Sequence, residues 1–265
     1  EQFAAYRRAE ELMNGLPVTI RTIDVGADKP LDAMNAGDGY ETAANPALGL
    51  RAIRWSLSEP QMFLTQLRAI LRASAFGSVK ILIPMLAHAQ QIDQTLDLIR
   101  EARRQLDDAG LAYDPNIQVG AMIEIPAAAL ALPMFLRRLD FLSIGTNDLT
   151  QYTLAMDRCQ PDLAAQADGL HPAVLRLVAA TVEGANKHGK WVGVCGALAG
   201  DPLAVPLLVG LGVTELSVDP VSVPSIKARV RKLDYNDCRQ RAQNALALES
   251  AQAVRAASRE SWPLD

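Results

Sequence analysis

The chain has 265 residues, 49% of them hydrophobic, which is enough for one sizeable core and within the length range of single α/β barrels. A formal charge of −4 with both signs interspersed argues against the basic face of a nucleic-acid binder. No apolar run reaches the roughly 18 to 20 residues of a membrane span and no basic-then-apolar leader opens the chain, so a soluble cytoplasmic protein is expected.

The chain opens on a helical pattern, EQFAAYRRAEELM, and then alternates short β-rich runs with helical ones. Strands are expected at 17–25, 80–85, 117–124, 141–145, 190–196 and 214–218. Several are almost continuously apolar, as parallel strands buried on both faces are. Between them, Phe63, Leu67, Ile70, Leu71 and Ser74 fall on one helical stripe, and Ile92, Leu96, Ile99 and Leu106 on a second. Val174, Leu177, Val178, Thr181, Val182 and Ala185 form a third. Asp201 before Pro202 reads as an N-cap opening a helix, Ser222 as another before Pro224, and residues 235–256 as one closing helix. Repeated strand–helix units without a Gly-rich dinucleotide turn favour a TIM-type (β/α)8 barrel, treated as one domain over 1–265.

In such a barrel chemistry gathers at the C-terminal ends of the strands. That places Arg21 and Asp24 after the first strand, Glu124 after the third, Asn147 and Asp148 after the fourth and Cys195 after the fifth. Two acids, Glu124 and Asp148, without a histidine or thiol partner suit a hard oxygen-ligated cation such as Mg2+. Arg21, Arg51, Arg54 and Arg158 surround that pair in sequence, and guanidinium forks match carboxylate and phosphate oxygens, so a small substrate bearing both groups is implied. The alternative is a structural Arg21–Asp24 ion pair with the other arginines solvated. Taken by itself, Cys195 reads as a small buried apolar residue at a strand end. Cys159 and Cys238 lie far from it without CxxC spacing and read as ordinary thiols, giving neither a disulfide framework nor a zinc site. His88, His171 and His188 sit in no nucleophile motif, and His188 reads as a helix-end residue.

IRTIDVGADKPL (20–31), NPALGLRAIR (45–54), LRAILRASAFG (67–77), VGAMIEIPAAA (119–129), FLSIGTNDLTQYTLAMDR (141–158) and GKWVGVCGALAGD (189–201) resemble the C-terminal, phosphoenolpyruvate-binding domain of Enzyme I, with multidomain fructose-type relatives. Enzyme I is the phosphoenolpyruvate-protein phosphotransferase of the bacterial sugar phosphotransferase system. The motifs occur in the family's order almost from end to end. The resemblance implies that Arg21, Arg51 and Arg158 grip phosphate and neighbouring oxygens. It makes Glu124 and Asp148 the magnesium ligands, Asn147 a contact to phosphate and carboxylate, and Cys195 the thiol that protonates the methylene carbon. It further implies homodimers, phosphoenolpyruvate and pyruvate as substrate and product, and histidine-bearing phosphoryl carrier domains as partners.

Four departures accompany the match. No GGxTSH-like histidine segment is present, so the phosphoryl acceptor must lie elsewhere. No RTEFL-like strand precedes the first helix, so six strands of eight are expected and the chain reads as an N-terminally incomplete barrel. Ile125 follows the metal glutamate where threonine is common, and Ala197 follows the CG pair where an acid is common. A non-catalytic phosphoenolpyruvate-sensing or oligomerisation module, or a dikinase- or synthase-like enolpyruvate barrel, are the other readings.

Overall fold

The computed structural model describes residues 1–25, 45–164 and 166–264; the GADKPL part of the first motif lies outside them. The chain divides into two compact units, Glu1–Ala121 with Arg138–Asp140, and Met122–Arg137 with Phe141–Asp265.

In the first unit α1 (Gln2–Met13), β1 (Val18–Arg21), α2 (Ile53–Ser58), α3 (Pro60–Ala73), β2 (Val79–Ile83), α4 (Ala89–Asp108) and the start of β3 (Gln118–Ile123) follow one another. β1 pairs parallel to β2 with Arg21 opposite Leu82, and β2 pairs parallel to β3 with Ile83 opposite Ala121. The expected stripe on α3 is the buried one: Phe63, Leu67, Ile70 and Leu71 are fully enclosed. On α4 the buried stripe is Ile92, Thr95, Ile99, Ala102 and Leu106. Thr95 takes the place expected for Leu96, because its hydroxyl donates to Gln91 O within the helix and leaves only methyl surface to bury. His88 is the N-cap of α4, and its backbone N–H donates to the Gln91 side chain.

The second unit contains the end of β3, α5 (Pro126–Leu130), α6 (Pro133–Leu136), β4 (Phe141–Gly145), α7 (Thr146–Leu154), α8 (Pro161–Ala164), α9 (Pro172–Lys187), β5 (Val192–Cys195), α10 (Val205–Gly210), β6 (Glu215–Leu216), α11 (Val223–Arg231), α12 (Tyr235–Ala245) and α13 (Ala251–Ser261). Every residue of β4 is buried. β4 pairs parallel to β5 with Gly145 opposite Cys195, and β5 parallel to β6. The six strands among the described residues therefore follow chain order in a parallel α/β fold with the strand–helix alternation of a TIM-type chain, at the six places the sequence marks. His171 caps α9 by accepting the Ala173 N–H, and His188 closes it with Nδ1 3.0 Å from Gly184 O.

Two boundaries and one capping bond differ from expectation. The Asp201 carboxylate accepts the Leu203 N–H in a turn, and α10 begins only at Val205. Ser222 occupies the N-cap of α11 but makes no side-chain cap bond. The closing helix is two helices: Asp234 caps α12 through the Asp237 N–H, and Ser250 restarts the chain as α13 through the Ala253 N–H. α12 packs close to α10 because position 210 has no side chain; a Cβ there would meet the Cys238 carbonyl oxygen at 2.1 Å.

Candidate functional site

In the first unit, the segment after β1 carries a cluster of charges. Asp24 accepts from Arg51 Nη2 at 2.8 Å and faces Arg21 Nη1 at 3.1 Å. Arg51 is fully buried, whereas 45% of the Arg21 side chain is exposed. Gln66 of α3 fixes this segment from below, accepting the Ile23 N–H and donating to Tyr6 Oη. Thus the Arg21–Asp24 ion pair given as an alternative in the sequence reading exists with Arg21 half-exposed, whereas Arg51, solvated in that alternative, is enclosed.

In the second unit the β4–α7 junction is the organising point. Glu124, following β3, is buried. A Cβ at Gly145 would come within 2.7 Å of its Oε2, so the glycine in SIGTND is what leaves space for that carboxylate. Asp148 lies in the first turn of α7, where helix dipole and backbone N–H groups favour negative charge. Arg158 Nη2 approaches Asp148 Oδ1 at 3.3 Å, and its backbone N–H is held by Gln151 Oε1. The left-handed turn at Ala155 brings the chain back from α7 to make that contact.

Residues at the start of α7 also fix the end of β5. Thr146 Oγ1 donates to Cys195 O at 2.8 Å, and Asn147 Oδ1 accepts the Ala197 N–H at 2.9 Å. The second bond sets the amide orientation: with Oδ1 engaged, the two N–H donors of Asn147 point away from Ala197. Between them Gly196 sits at φ 90°, where a Cβ would strike Thr146 Oγ1 and Asn147 Oδ1. Cys195 itself is part-buried. Its Sγ accepts from Ser143 Oγ at 3.6 Å and donates to Ile144 O at 3.5 Å. Residue 197 contributes a backbone N–H while its side chain is exposed, so alanine there keeps the contact to Asn147.

A cleft of about 400 Å³ opens beside this junction, with Asn147, Gln151, Arg158, Asp168, Asp201 and Arg255 in its wall. Its size suits a small ligand. The last three residues were not among the sequence candidates; neither were Thr146, Ser143 and Gln151, although a buried polar residue beside a strand end is a signal that could have found the first two. Cys159 is exposed, and Cys238 is buried, with burial and then the charges of Asp237 and Asp234 pushing its thiol up to about 11. Among the described residues no cluster of three or more His, Cys, Asp or Glu side chains is placed to hold a metal by itself. No helix among them is long and apolar enough to cross a membrane.

Residues 1–235 match the family model described as PEP-utilising enzyme, PEP-binding domain. A phosphoenolpyruvate-protein phosphotransferase of Cupriavidus necator is 66% identical over 230 residues, which is 87% of this chain and 39% of that protein. A multiphosphoryl transfer protein of Rhodobacter capsulatus is 47% identical over 96% of this chain and 30% of its own length. A phosphoenolpyruvate-protein phosphotransferase of Geobacillus stearothermophilus is 42% identical over 96% of this chain and 43% of its own length. The chain thus spans less than half the length of these relatives, and with nearly nine-tenths of its residues inside the family match it belongs to the PEP-utilising enzymes, as their PEP-binding domain.

Proposed function

We propose that this chain is the phosphoenolpyruvate-binding part of a phosphoenolpyruvate-protein phosphotransferase, passing the phosphoryl group to a histidine on a separate domain and releasing pyruvate. The observation that carries the reading is the β4–α7 junction: one short segment presents a carboxylate, an amide whose oxygen is engaged by the Ala197 N–H and an arginine fork, and the same segment holds the cysteine at the end of β5. The whole-length names of the relatives support the reaction class.

Arg158 and Asn147 would bind oxygens of the trianion, and Arg21 those of the phosphate. Arg51, enclosed against Asp24, is expected from the resemblance to contact the phosphate; in the arrangement seen it orients Asp24 and through it Arg21. Glu124 and Asp148 would hold Mg2+. They fit it as two buried carboxylates, one with space kept clear by Gly145, since that ion takes one or two protein carboxylates and completes its shell with water and substrate oxygens. Bound there, the ion would neutralise phosphate charge.

Phosphoryl transfer through a loose transition state needs positioning and charge neutralisation, which these groups provide. As the P–O bond breaks, its electron pair stays on the enol oxygen and the phosphorus bonds to the acceptor imidazole nitrogen. The enolate then takes a proton at its methylene carbon. Cys195 would supply that proton and recover one from solvent. Ser143 and Ile144 O hold the sulfur. A homodimer and a cytoplasmic location complete the proposal.

Titration calorimetry of phosphoenolpyruvate with and without Mg2+ tests the reading. Binding that needs the ion and weakens by several kcal/mol in Asp148→Ala is expected. Equal affinity under chelation would remove the metal assignment, and no binding at all would remove the function.

A further inference from the structure

Arg255 lies on α13, beyond residue 235, where the family match ends. Its guanidinium grips Asp168 with two bonds, Nε to Oδ2 at 2.5 Å and Nη2 to Oδ1 at 2.8 Å, and reaches Asp201 Oδ2 with Nη1 at 2.7 Å. Both acids are themselves fixed by backbone donors, Asp168 by the Leu170 N–H and Asp201 by the Leu203 N–H. All three side chains stand in the wall of the cleft that also holds Asn147 and Arg158. Two carboxylates there would oppose any anion entering it, and Arg255 is the cation that faces both.

We propose that Arg255 is a positioning residue of the anion cleft, whose charge offsets Asp168 and Asp201 so that a small polyanion can bind at Arg158 and Asn147. This rests on the reading of the cleft as the phosphoenolpyruvate site. One unit charge roughly 10 Å from a bound anion changes its affinity on the order of tenfold at an effective dielectric near 20, less as salt rises. The role is one of charge more than of tethering, because the same turn is tied to the helices by other bonds. Ser258 Oγ donates to Leu203 O, and Arg229 Nε donates to Pro202 O. The raised proton affinity of Arg255, due first to its bonds with Asp168, keeps that charge fixed at every working pH.

The test is calorimetric titration of the full chain with phosphoenolpyruvate plus Mg2+, and separately with inorganic phosphate, at low and high salt. Arg255→Gln should bind both anions about tenfold more weakly, with the deficit shrinking as salt rises. Arg255→Lys should stay within about threefold of the parent, since the charge remains. Adding Asp168→Asn and Asp201→Asn to Arg255→Gln should restore affinity, although no ion pair is left to tether anything. In the chain retaining Arg255, the two asparagine substitutions alone should tighten binding, which keeps the question answerable if Arg255→Gln does not fold. Unchanged affinity in Arg255→Gln, or a deficit that survives the asparagine substitutions, overturns the proposal. If the parent binds phosphate but not phosphoenolpyruvate, the functional reading falls, and the phosphate titrations still decide the role of Arg255. A parent that binds neither overturns both.

Discussion

The two units each gather arginines and acids at strand ends, yet the two clusters differ in how far their guanidiniums are buried. After β1, two guanidiniums face one carboxylate, and both Arg51 and Asp24 are withdrawn from solvent. At the β4–α7 junction, the buried Asp148 carboxylate pairs with Arg158, whose side chain keeps 26% of its surface exposed on a cleft. The first holds a fully buried ion pair, Arg51 with Asp24, beside a guanidinium that is 45% exposed; the second sets an ion pair, Arg158 with Asp148, at the wall of a cleft. Identical residue types therefore hold a segment in place in one region and face a cleft in the other. What decides between them is burial.

The sharpest separation is expected from Cys195→Ala. If the second region alone carries proton transfer, this change should leave phosphoenolpyruvate affinity intact while slowing deuterium wash-in to the methyl group of pyruvate by about 10²–10⁴-fold, the usual contribution of general acid catalysis. Lost affinity with normal exchange per bound molecule would make Cys195 a packing residue. Next in size, Arg51→Met should remove about 3 kcal/mol of stability in urea denaturation, because it takes away the fully buried partner of the Asp24 carboxylate. Arg158→Met should cost less in the same assay, since Arg158 is part-exposed on the cleft and water can reach the place it leaves. Equal losses would erase the contrast between a closed cluster and an open one.

The glycines offer a finer version of the same contrast. In Gly145→Ala the new methyl meets Glu124 Oε2 and Met122 Sδ, which can move, and Glu124 Cβ at 3.0 Å, which must give by a few tenths of an ångström, so folding should survive with a modest loss while Mg2+-dependent binding drops about tenfold as the carboxylate is displaced. In Gly210→Ala the obstacle is backbone, the carbonyl of Cys238, and overpacking of this kind costs about 1–3 kcal/mol or more. Thermal unfolding beside a binding titration would check the pair. If Gly145→Ala unfolds the protein more readily than Gly210→Ala, Glu124 is not the flexible neighbour described.

Much of this was legible in the sequence because its signals are local. Apolar runs bounded by Gly, Pro or Asp marked all six strands, and FLSIG matched β4 to the residue, since a strand buried on both faces tolerates only such a run. Glu124, Asp148 and Asn147 were legible because strand ends in this fold collect chemistry. Arg255 was not. Its partners Asp168 and Asp201 are 87 and 54 residues away, and nothing in an Ala- and Gln-rich helix pattern announces a pairing at that distance. The single closing helix failed for a related reason: composition supports helix throughout 235–256, whereas the break is made by one capping serine. Arg51 was legible as a candidate, but not as a residue enclosed against Asp24.

The smallest effect concerns acid. Burial pushes the Asp168 carboxyl up, but the Arg255 hydrogen bonds, the Leu170 N–H and the charges of Arg255 and His171 outweigh it and hold that carboxyl below its ordinary range. A depressed folded-state value stabilises the fold above the unfolded value, near 3.9 for aspartate, and that contribution disappears as pH falls through the lower folded value. Asp168→Asn lacks it at every pH. The difference in unfolding free energy between parent and variant should therefore be constant above pH about 5 and shrink below pH about 4. Glu101, drawn down to about 2 by Arg104 and Gln105, titrates in the same range but is present in both proteins and cancels in the difference. Asp93 and Glu183, held low by Arg138 and Lys187, cancel likewise. Denaturation midpoints across pH 2 to 7 would measure the difference. A gap that stays flat down to pH 2, or one that opens only above pH 6, would show that Asp168 is not held by Arg255 as an ion pair and would take with it the charge balance argued for the cleft.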